Sequence, residues 1–461
     1  MNSQSKKMEL LCSASIPKAL LAMGIPAMIG MLVNAFYSLV DAYFVGGLGE
    51  SQMGAISVVY PLGQVVVGLG LLFGNGAASY ISRLLGRGDK ENADKVASTA
   101  LYSSVSVGAV IIIISMVFLH PILKLLGATD SILPYAATYA GIYIVSCIFN
   151  VFNVTMNNIV TSEGAAKTTM CALLTGAVLN IALDPLFIYV FDLGVAGAAI
   201  ATAISQVVST CVYLTYILRK KSVLHFRVKD CTYTKETMSE IFKIGIPTLV
   251  FQILTSVSIS LINNAAGDYG DSAIAGMGVV TRLISMGSLS VFGFIKGFQP
   301  IAGYSYGAKK FDRLREAIKT SILWSTVFCV IFGVILALFP TAIVSQFTKG
   351  DAEMIRIGVA SLRANSISIM LFGFYTVYSS LFLALGKGRE GFILGACRQG
   401  ICFIPVILLL PMVWGLNGIM YAQPIADALS AVITVFMAIP LHKKLNEMQK
   451  QTSAISTKVN D

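Results

Sequence analysis

The stretch Asn180-Ile-Ala-Leu-Asp184-Pro-Leu-Phe-Ile-Tyr-Val-Phe191 places a carboxamide, a carboxylate and a proline inside an apolar run. An ionised side chain at the centre of a membrane helix costs about 2.5–3.5 kcal/mol on insertion scales, so Asp184 needs a partner or a role. Asn180 precedes Asp184 by four residues, which puts both side chains on one helix face, one turn apart. The pair can therefore hold a shared proton or small cation.

The chain as a whole is too apolar for a soluble globular protein. Of its 461 residues, 56% are hydrophobic and 12% are charged, and the mean hydropathy is +0.78, whereas soluble domains carry about 25% charged residues. Twelve apolar runs are long enough to cross a hydrocarbon core of about 30 Å. Their approximate bounds are 16–46, 52–83, 95–122, 131–162, 166–191, 193–218, 237–267, 272–304, 316–345, 352–385, 391–413 and 416–440. We therefore predict an all-α integral membrane protein with twelve transmembrane helices.

The formal net charge of +10 is distributed in a pattern that indicates membrane topology. Lysine and arginine concentrate in alternate connections, and the connections between them carry mainly acidic residues. This positive-inside asymmetry predicts a multi-pass protein of the cell membrane, inner or plasma, with both termini in the cytoplasm. It also argues against nucleic acid as a partner. The eight scattered cysteines form no CxxC pair that would indicate a metal or cofactor site.

The twelve runs form two halves that repeat each other. Gly24-Ile25-Pro26 returns as Gly245-Ile246-Pro247, an offset of 221 residues, and the same offset relates Gly86 to Gly307. Because the offset spans six helices, an even number, the two repeats have parallel topology. We predict a cytoplasmic N-terminus at 1–15, an N-lobe at 16–218, a cytoplasmic linker at 219–236, a C-lobe at 237–440 and a cytoplasmic C-terminal tail at 441–461.

Two pseudo-symmetric six-helix lobes are an architecture that alternating access uses, because a site between them faces each side of the membrane in turn. A symmetric scaffold or channel is the alternative, and intramembrane charges favour transport over it, since such charges mark ion pathways. The N-lobe has two acids within its spans, Asp41 and Asp184. If they face one another, their mutual repulsion lets the pair take up a proton or hold Na⁺ through oxygen ligands.

Further polar side chains accompany these acids in the N-lobe. Tyr37 precedes Asp41 by one helical turn, and Asn34 lies about one turn further back. Others occur in the fourth and sixth spans, where hydrogen bonding between helices explains them as well as an ion site does. They are Tyr139, Asn157 and Thr202.

The C-lobe has lost both acids and carries cations instead. Position 262, the equivalent of Asp41, is Ile, and position 405, the equivalent of Asp184, is Pro. The cations include Lys296 and Arg363, and the sequence leaves open whether they face the cleft, with a structural pairing as the alternative for Lys296. Arg398 is expected near the cytoplasmic end, where its side chain can extend to water.

Seven short motifs follow one another along the chain. They are Asp41-Ala-Tyr-Phe-Val-Gly46-Gly, Gly86-Arg-Gly-Asp89, Glu163-Gly164, Asp184-Pro185, Gln299-Pro300-Ile-Ala-Gly303-Tyr-Ser-Tyr-Gly307-Ala, Gly386-Lys-Gly388 and Arg398-Gln399-Gly400. In this order, together with the repeat, they resemble the multidrug and toxic compound extrusion (MATE) transporters, and most closely the bacterial multidrug subgroup. The resemblance covers roughly 17–440.

The resemblance implies a V-shaped cleft between two lobes and export of organic cations or amphiphilic drugs, driven by inward H⁺ or Na⁺. MATE proteins with N-lobe acids have a cation-coupling cluster, and the matching positions, which are also the candidate Na⁺ ligands, are Asp41, Asn180, Asp184 and Thr202. Other members carry their acids in the seventh and tenth spans; this chain does not match those acids, and its Arg363 in the tenth span departs from that pattern. The candidate residues adjacent to substrate or to the coupling site are Tyr37, Asn34, Tyr139, Asn157, Lys296, Gln299 and Arg363.

Other functions fit the same sequence less well. A lipid-linked or polysaccharide precursor flippase of the same superfamily would use Lys296 and Arg363 to hold an anionic headgroup. A non-transporting receptor or scaffold is a remote alternative, and the three histidines form no HExxH site, so we predict no enzymatic activity. We expect drugs and membrane lipid as partners, a monomer, and no cofactor besides the coupling ion. H⁺ and Na⁺ both stay open as that ion, because Asp, Asn and Thr oxygens suit either.

Overall fold

The computed structural model of the chain describes residues 3–48, 50–347 and 352–460, which are helical with short connections and contain no β-strand. Within these ranges, twelve helices are long and apolar enough to cross a membrane, which confirms the predicted fold class. We number them α1 (Ile16–Gly46), α2 (Glu50–Arg87), α3 (Lys90–Val117), α4 (Leu133–Ser162), α5 (Ala166–Val190), α6 (Gly194–Leu218), α7 (Lys235–Gly267), α8 (Asp271–Gly307), α9 (Phe311–Leu338), α10 (Ala352–Ala384), α11 (Gly388–Trp414) and α12 (Leu416–Asn460).

Polar residues in the connections cap several of these helices. The Asp89 side chain accepts a hydrogen bond from the backbone N–H of Asn92 and so caps the N-terminus of α3. The Thr234 side chain caps α7 in the same way through the N–H of Thr237. Such caps satisfy N–H groups that have no partner within the helix. Both caps lie in connections where lysine and arginine concentrate.

The 221-residue repeat is visible in the structure as matching helix breaks. Helix α3 ends at Val117 and α9 at Leu338, which are equivalent positions, and a short helix follows each break. The first residue of α6, Gly194, and the residue after α11, Gly415, are also equivalent, and their φ angles are 53° and 58°. Glycine adopts this left-handed conformation without steric cost. Helices α1–α6 form the N-lobe and α7–α12 form the C-lobe.

The lobes pack closely at one end of the bundle, which carries the basic connections 87–90, 219–235 and 309–310 and which we call the basic end. A Cβ added at Gly86 of α2 would overlap the carbonyl oxygen of Tyr304 in α8. A Cβ added at Gly307 of α8 would overlap the carbonyl oxygen of Arg83 in α2. The two contacts are equivalent under the repeat. Glycine therefore allows the backbones of α2 and α8 to approach each other directly.

Two helices depart from regular α geometry. Pro185 has no N–H to donate, and α5 continues beyond it as a π-helical turn at Leu186–Val190. Helix α11 contains a second π-helical turn at Cys397–Ile401. Such turns are frequent at functional sites. These two lie beside Asp184 in the N-lobe and around Arg398 in the C-lobe.

Candidate transport site

The structure brings together four polar residues of the N-lobe, Asp41, Asn180, Asp184 and Thr202, which we call the acid cluster. Asn180 and Asp184 are buried on one face of α5, and Asn180 Nδ2 donates to Asp184 Oδ1 at 3.3 Å. The same Nδ2 reaches Thr202 Oγ1 of α6 at 3.5 Å. Asp41 of α1 brings its carboxyl group into contact with that of Asp184, close enough to share a hydrogen bond. Three helices thus converge on one pair of carboxyl groups.

Three buried oxygen atoms of this cluster accept no hydrogen bond from any described residue. They are Asp41 Oδ1, Asn180 Oδ1 and Asp184 Oδ2. A buried polar atom without a partner costs about 1–3 kcal/mol, so such a concentration of unpaired acceptors indicates that a positive species belongs there. A proton shared by the carboxyl groups satisfies them. An Na⁺ ion does so as well, because hard cations prefer carboxylate, amide and hydroxyl oxygens.

Two tyrosines, Tyr37 of α1 and Tyr139 of α4, lie beside the acid cluster. Tyr37 and Tyr139 both lie close enough to Asp41 to interact with it electrostatically. Tyr139 stacks on Tyr143, with ring centroids 5.5 Å apart. Asn34 does not join this group: it is exposed, and it is its backbone carbonyl that accepts a hydrogen bond from Ser38.

A separate cavity of about 580 Å³ lies mainly within the C-lobe. Its lining is largely apolar and aromatic, with Phe251 and Phe292 among the contributors, and a few N-lobe residues such as Tyr60 and Asn158 close one side. The volume is that of a pocket for a drug-sized molecule, and such pockets usually combine an apolar wall with a few placed polar groups. No residue of the acid cluster lines this cavity. The candidate coupling site and the candidate substrate site are therefore distinct.

Lys296 connects the cavity to the N-lobe. It lines the cavity from α8, and its Nζ donates to Asn157 Oδ1 of α4 at 3.0 Å. Asn157 in turn donates to the hydroxyl of Tyr213 in α6 at 3.4 Å. Gln299, one helical turn after Lys296, lines the same cavity. The structure thus places Lys296 at the cavity wall, which the sequence had left open, and Asn157 is its partner rather than a member of the acid cluster.

Comparisons with known proteins identify the family that has this architecture. The model of the protein family described as MatE matches residues 26–186 and 247–409, the two repeats. The chain belongs to the MatE family. The MatE protein described here is 32% identical over 429 residues to the multidrug export protein MepA of Staphylococcus aureus (strain MSSA476), covering 93% of this chain and 94% of MepA. It is 32% identical over 433 residues to MepA of Staphylococcus saprophyticus, covering 94% and 95%.

Solved structures of the family have the same fold as this MatE protein. An outward-facing multidrug resistance MATE transporter of the MOP superfamily superposes with a TM-score of 0.90 at 26% identity, over 96% of this chain and 99% of that one. A MOP superfamily transporter from Pyrococcus furiosus superposes with a TM-score of 0.89 at 26% identity and the same coverage. The twelve helices and their arrangement in two lobes are thus those of MATE transporters.

Two arginines of the C-lobe lie elsewhere than the sequence predicts. Arg363 is exposed on α10, on the same stripe as Arg356 and Ile367, and does not line the cavity. A single basic residue in an apolar helix does not reveal which face it occupies. Arg398 does not extend to water, because it is 6% exposed and lines the cavity, where its guanidinium lies 4.5 Å from the centre of the Phe372 ring.

The partner of Arg398 is Asp427 of α12, which sequence reasoning missed. Arg398 Nε donates to Asp427 Oδ1 at 2.9 Å, and Gln423 Nε2 donates to the same oxygen at 2.9 Å. The hydroxyl of Ser368 donates to Asp427 Oδ2. Asp427 is 1% exposed, so this is a buried ion pair with additional hydrogen bonds. The sequence did contain a signal for this pair, because Asp427 is an acid inside the last apolar run.

Two further sets of contacts hold the lobes together at the basic end of this MatE protein. Arg83 Nη2 of α2 donates to Glu240 Oε2 of α7 at 2.7 Å, which is a partly buried ion pair across the lobe boundary. The helix Ser3–Cys12 lies over the same end. Its Lys7 Nζ donates to the hydroxyl of Tyr216 in the N-lobe, and Arg313 of the C-lobe donates to its Leu10 carbonyl. The N-terminal helix therefore bridges the two lobes.

One further motif has no functional geometry. The spacing Gly303-Tyr-Ser305-Tyr-Gly307 matches G-x-S-x-G, but these residues all lie within the helix α8. The nucleophile of such a motif needs a sharp turn from a strand into a helix. Ser305 is fully buried there, so it does not form a nucleophile elbow.

Proposed function

We propose that this MatE protein is a secondary active antiporter of the cell membrane that exports organic cations or amphiphilic drugs in exchange for H⁺ or Na⁺. The relatives named multidrug export proteins and the multidrug resistance MATE structure support efflux as the function. The observation that carries the coupling is the contact between Asp41 and Asp184, in a cluster with three buried oxygens that lack a hydrogen-bond donor among the described residues. An ion or proton supplies the positive charge that this pair requires.

The acid cluster is connected to the C-lobe through α1. Asp41 lies on α1, and the same helix packs against α8 so closely that a Cβ at Gly293 would overlap Met28 and one at Gly297 would overlap Gly24. Release of the bound ion leaves two carboxylates in contact, and their repulsion favours displacement of α1 from α5. A displaced α1 changes its packing on α8, which carries Lys296 at the cavity wall. By linkage, drug binding must weaken ion binding by the factor by which the ion weakens drug binding.

The structure corresponds to one state of an alternating-access cycle. The lobes pack directly at the basic end, through the backbones of α2 and α8 and the Arg83–Glu240 ion pair. The positive-inside rule assigns this end, with both termini, to the cytoplasm. We propose that this is the outward-facing state, in which the cytoplasmic side is closed. The acid cluster and the cavity are each formed by one chain, which supports a monomer as the transporting unit.

The test is efflux from proteoliposomes with one gradient imposed at a time. Purified protein is reconstituted, and loss of internal ethidium and, separately, of rhodamine 19 is followed under a pH gradient, under an Na⁺ gradient and under neither. We expect efflux that accelerates with at least one inward gradient. Equal rates under all three conditions, or rates equal to those of protein-free liposomes, would contradict antiport.

A flippase for a lipid-linked precursor is the second candidate, and Lys296 in the cavity wall is the observation that favours it. Arg363, the other cation that would hold a headgroup, does not line the cavity, which weakens this candidate. A deletion strain distinguishes the two functions. Drug hypersensitivity without accumulation of a lipid-linked precursor supports efflux, and accumulation without hypersensitivity supports the flippase.

A further inference from the structure

We propose that the C-lobe cavity selects amphiphiles that carry an anionic oxygen group, such as an ionised carboxyl, and that Lys296 is the residue that binds this group. The inference rests on the proposed efflux function and narrows its substrate class.

The cavity wall carries a net positive charge. None of the described residues that line it is Asp or Glu, and the two charged residues that do are Lys296 and Arg398. The charge of Arg398 is compensated by Asp427, which lies behind the wall and is not part of the lining. Lys296 forms its hydrogen bond with the neutral amide of Asn157. The uncompensated charge at the cavity is therefore that of Lys296.

Lys296 and Gln299 together offer hydrogen-bond donors for an oxygen anion. A lysine ammonium has three N–H groups, and the bond to Asn157 uses one of them. The Nε2 of Gln299 is buried and has no hydrogen-bond partner among the described residues. Lys296 and Gln299 are three residues apart on α8, so their side chains share one helix face. A carboxylate placed between them gains one charge-assisted hydrogen bond and satisfies a buried amide.

The rest of the wall suits the apolar part of an amphiphile. Phe251, Phe292 and Met277 contribute aromatic and thioether surface, and Ser285 and Thr255 contribute hydroxyl groups. Aromatic rings and methionine adapt to flat apolar molecules of different shape. A molecule whose only charge is positive gains the same apolar contacts without the hydrogen bond to Lys296, whose charge opposes it, so it binds less tightly than an amphiphile with an anionic group. The wall therefore discriminates by charge while it remains tolerant of shape.

The test uses two dyes that differ only in this group. Rhodamine 19 carries a free carboxyl, and rhodamine 6G is its ethyl ester; both have the same cationic xanthene ring. Binding to the purified full-length protein is measured by fluorescence anisotropy at pH 7. Because a charge-assisted hydrogen bond is lost in the ester, we expect the acid to bind about tenfold more tightly or better.

Variants of α8 assign the preference to Lys296. Lys296→Met removes the charge and should make the two dissociation constants equal, whereas Lys296→Arg keeps the charge and should retain most of the preference. Arg282→Met is the matched control, because Arg282 lies on the same helix, is exposed and does not line the cavity; it should behave like the wild type. Equal or tighter binding of the ester by the wild type, or an undiminished preference in Lys296→Met, would overturn the inference.

Efflux measurements with both dyes separate the charge preference of the cavity from antiport. Gradient-driven efflux of rhodamine 6G at a rate equal to or above that of rhodamine 19 would leave antiport standing and overturn the charge preference. Preferential binding of rhodamine 19 without any gradient-driven efflux would support the cavity's preference and contradict the proposed function.

Discussion

Asp41 and Asp184 are 143 positions apart in the chain, and the fold brings their carboxyl groups into contact between α1 and α5. Two carboxylates in contact inside a membrane protein repel each other and lack the hydration that would screen them, so the pair requires a proton or a cation. Asn180 and Thr202 extend the pair into a set of oxygen atoms from three helices. In the proposed mechanism, binding or release of a proton or cation at this cluster changes the packing of α1 against α5.

Neutralising either acid should abolish coupling without unfolding the protein. In Asp41→Asn and Asp184→Asn the cluster keeps its shape but loses a titratable, cation-binding carboxylate. We expect gradient-driven efflux from proteoliposomes to fall to the rate of protein-free liposomes. Asp130→Asn, an exposed acid outside the spans, is the matched control and should transport normally. Coupled efflux at the wild-type rate by either cluster variant would refute the assignment.

The glycine contacts at the basic end should tolerate no side chain. Gly307→Ala adds a Cβ that overlaps the Arg83 carbonyl oxygen, so the lobes must separate there. We expect a lower thermal unfolding temperature and slower transport. Gly278→Ala is the control on the same helix, because its Cβ meets nothing within 4 Å and alanine favours helix by about 0.5–1 kcal/mol. A Gly307→Ala protein as stable and active as Gly278→Ala would contradict direct backbone packing.

The ion pair between α2 and α7 should contribute measurably to closure at the basic end. Arg83 and Glu240 are partly buried and 2.7 Å apart, and hydrogen bonds between charged groups contribute about 1.5–3 kcal/mol. A double-mutant cycle with Arg83→Met and Glu240→Gln, read out as the free energy of unfolding in detergent, should give a coupling energy of about that size. Strict additivity of the two single effects would show that the pair adds nothing.

Breaking the buried pair of the C-lobe should be costly. Asp427→Asn leaves the Arg398 guanidinium buried without its counter-charge, and loss of one partner of a buried pair typically costs about 3–5 kcal/mol. Unfolding experiments should detect this loss. Combining Asp427→Leu with Arg398→Met, which removes both charges, should recover most of the stability. If the double variant is no more stable than Asp427→Asn, the two residues do not act as an ion pair.

The sequence predicted the membrane spans well because the hydropathy of a span depends only on its own consecutive residues. Each apolar run became a membrane helix, and the four-residue spacing of Asn180 and Asp184 placed both on one face of α5. The link to Asp41 needed the repeat and the family resemblance, since nothing local connects α1 to α5. Hydrogen bonds across lobes, such as that from Lys296 to Asn157, depend on the rotation of two helices about their axes. Composition does not fix that rotation.

Arg363 and Asp427 both show that the sequence does not determine the surroundings of a charged residue within a span. Arg363 is a charge in an apolar run, yet it lies on an exposed stripe of α10. Asp427 could not be paired from the sequence, because its partner Arg398 precedes it by 29 residues and lies on another helix. A charge inside a span indicates that a partner exists without indicating which face or helix supplies it.

The central claim is that the acid cluster exchanges its ion against drug, and the most direct measurement is ion release on drug binding. Purified protein in weakly buffered solution with ²²Na⁺ is titrated with rhodamine 19, and released H⁺ and ²²Na⁺ are counted. Reciprocal linkage predicts release of about one ion per bound drug in the wild type and none in Asp184→Asn. Drug binding without release of either ion by the wild type, or equal release by Asp184→Asn, would contradict the account.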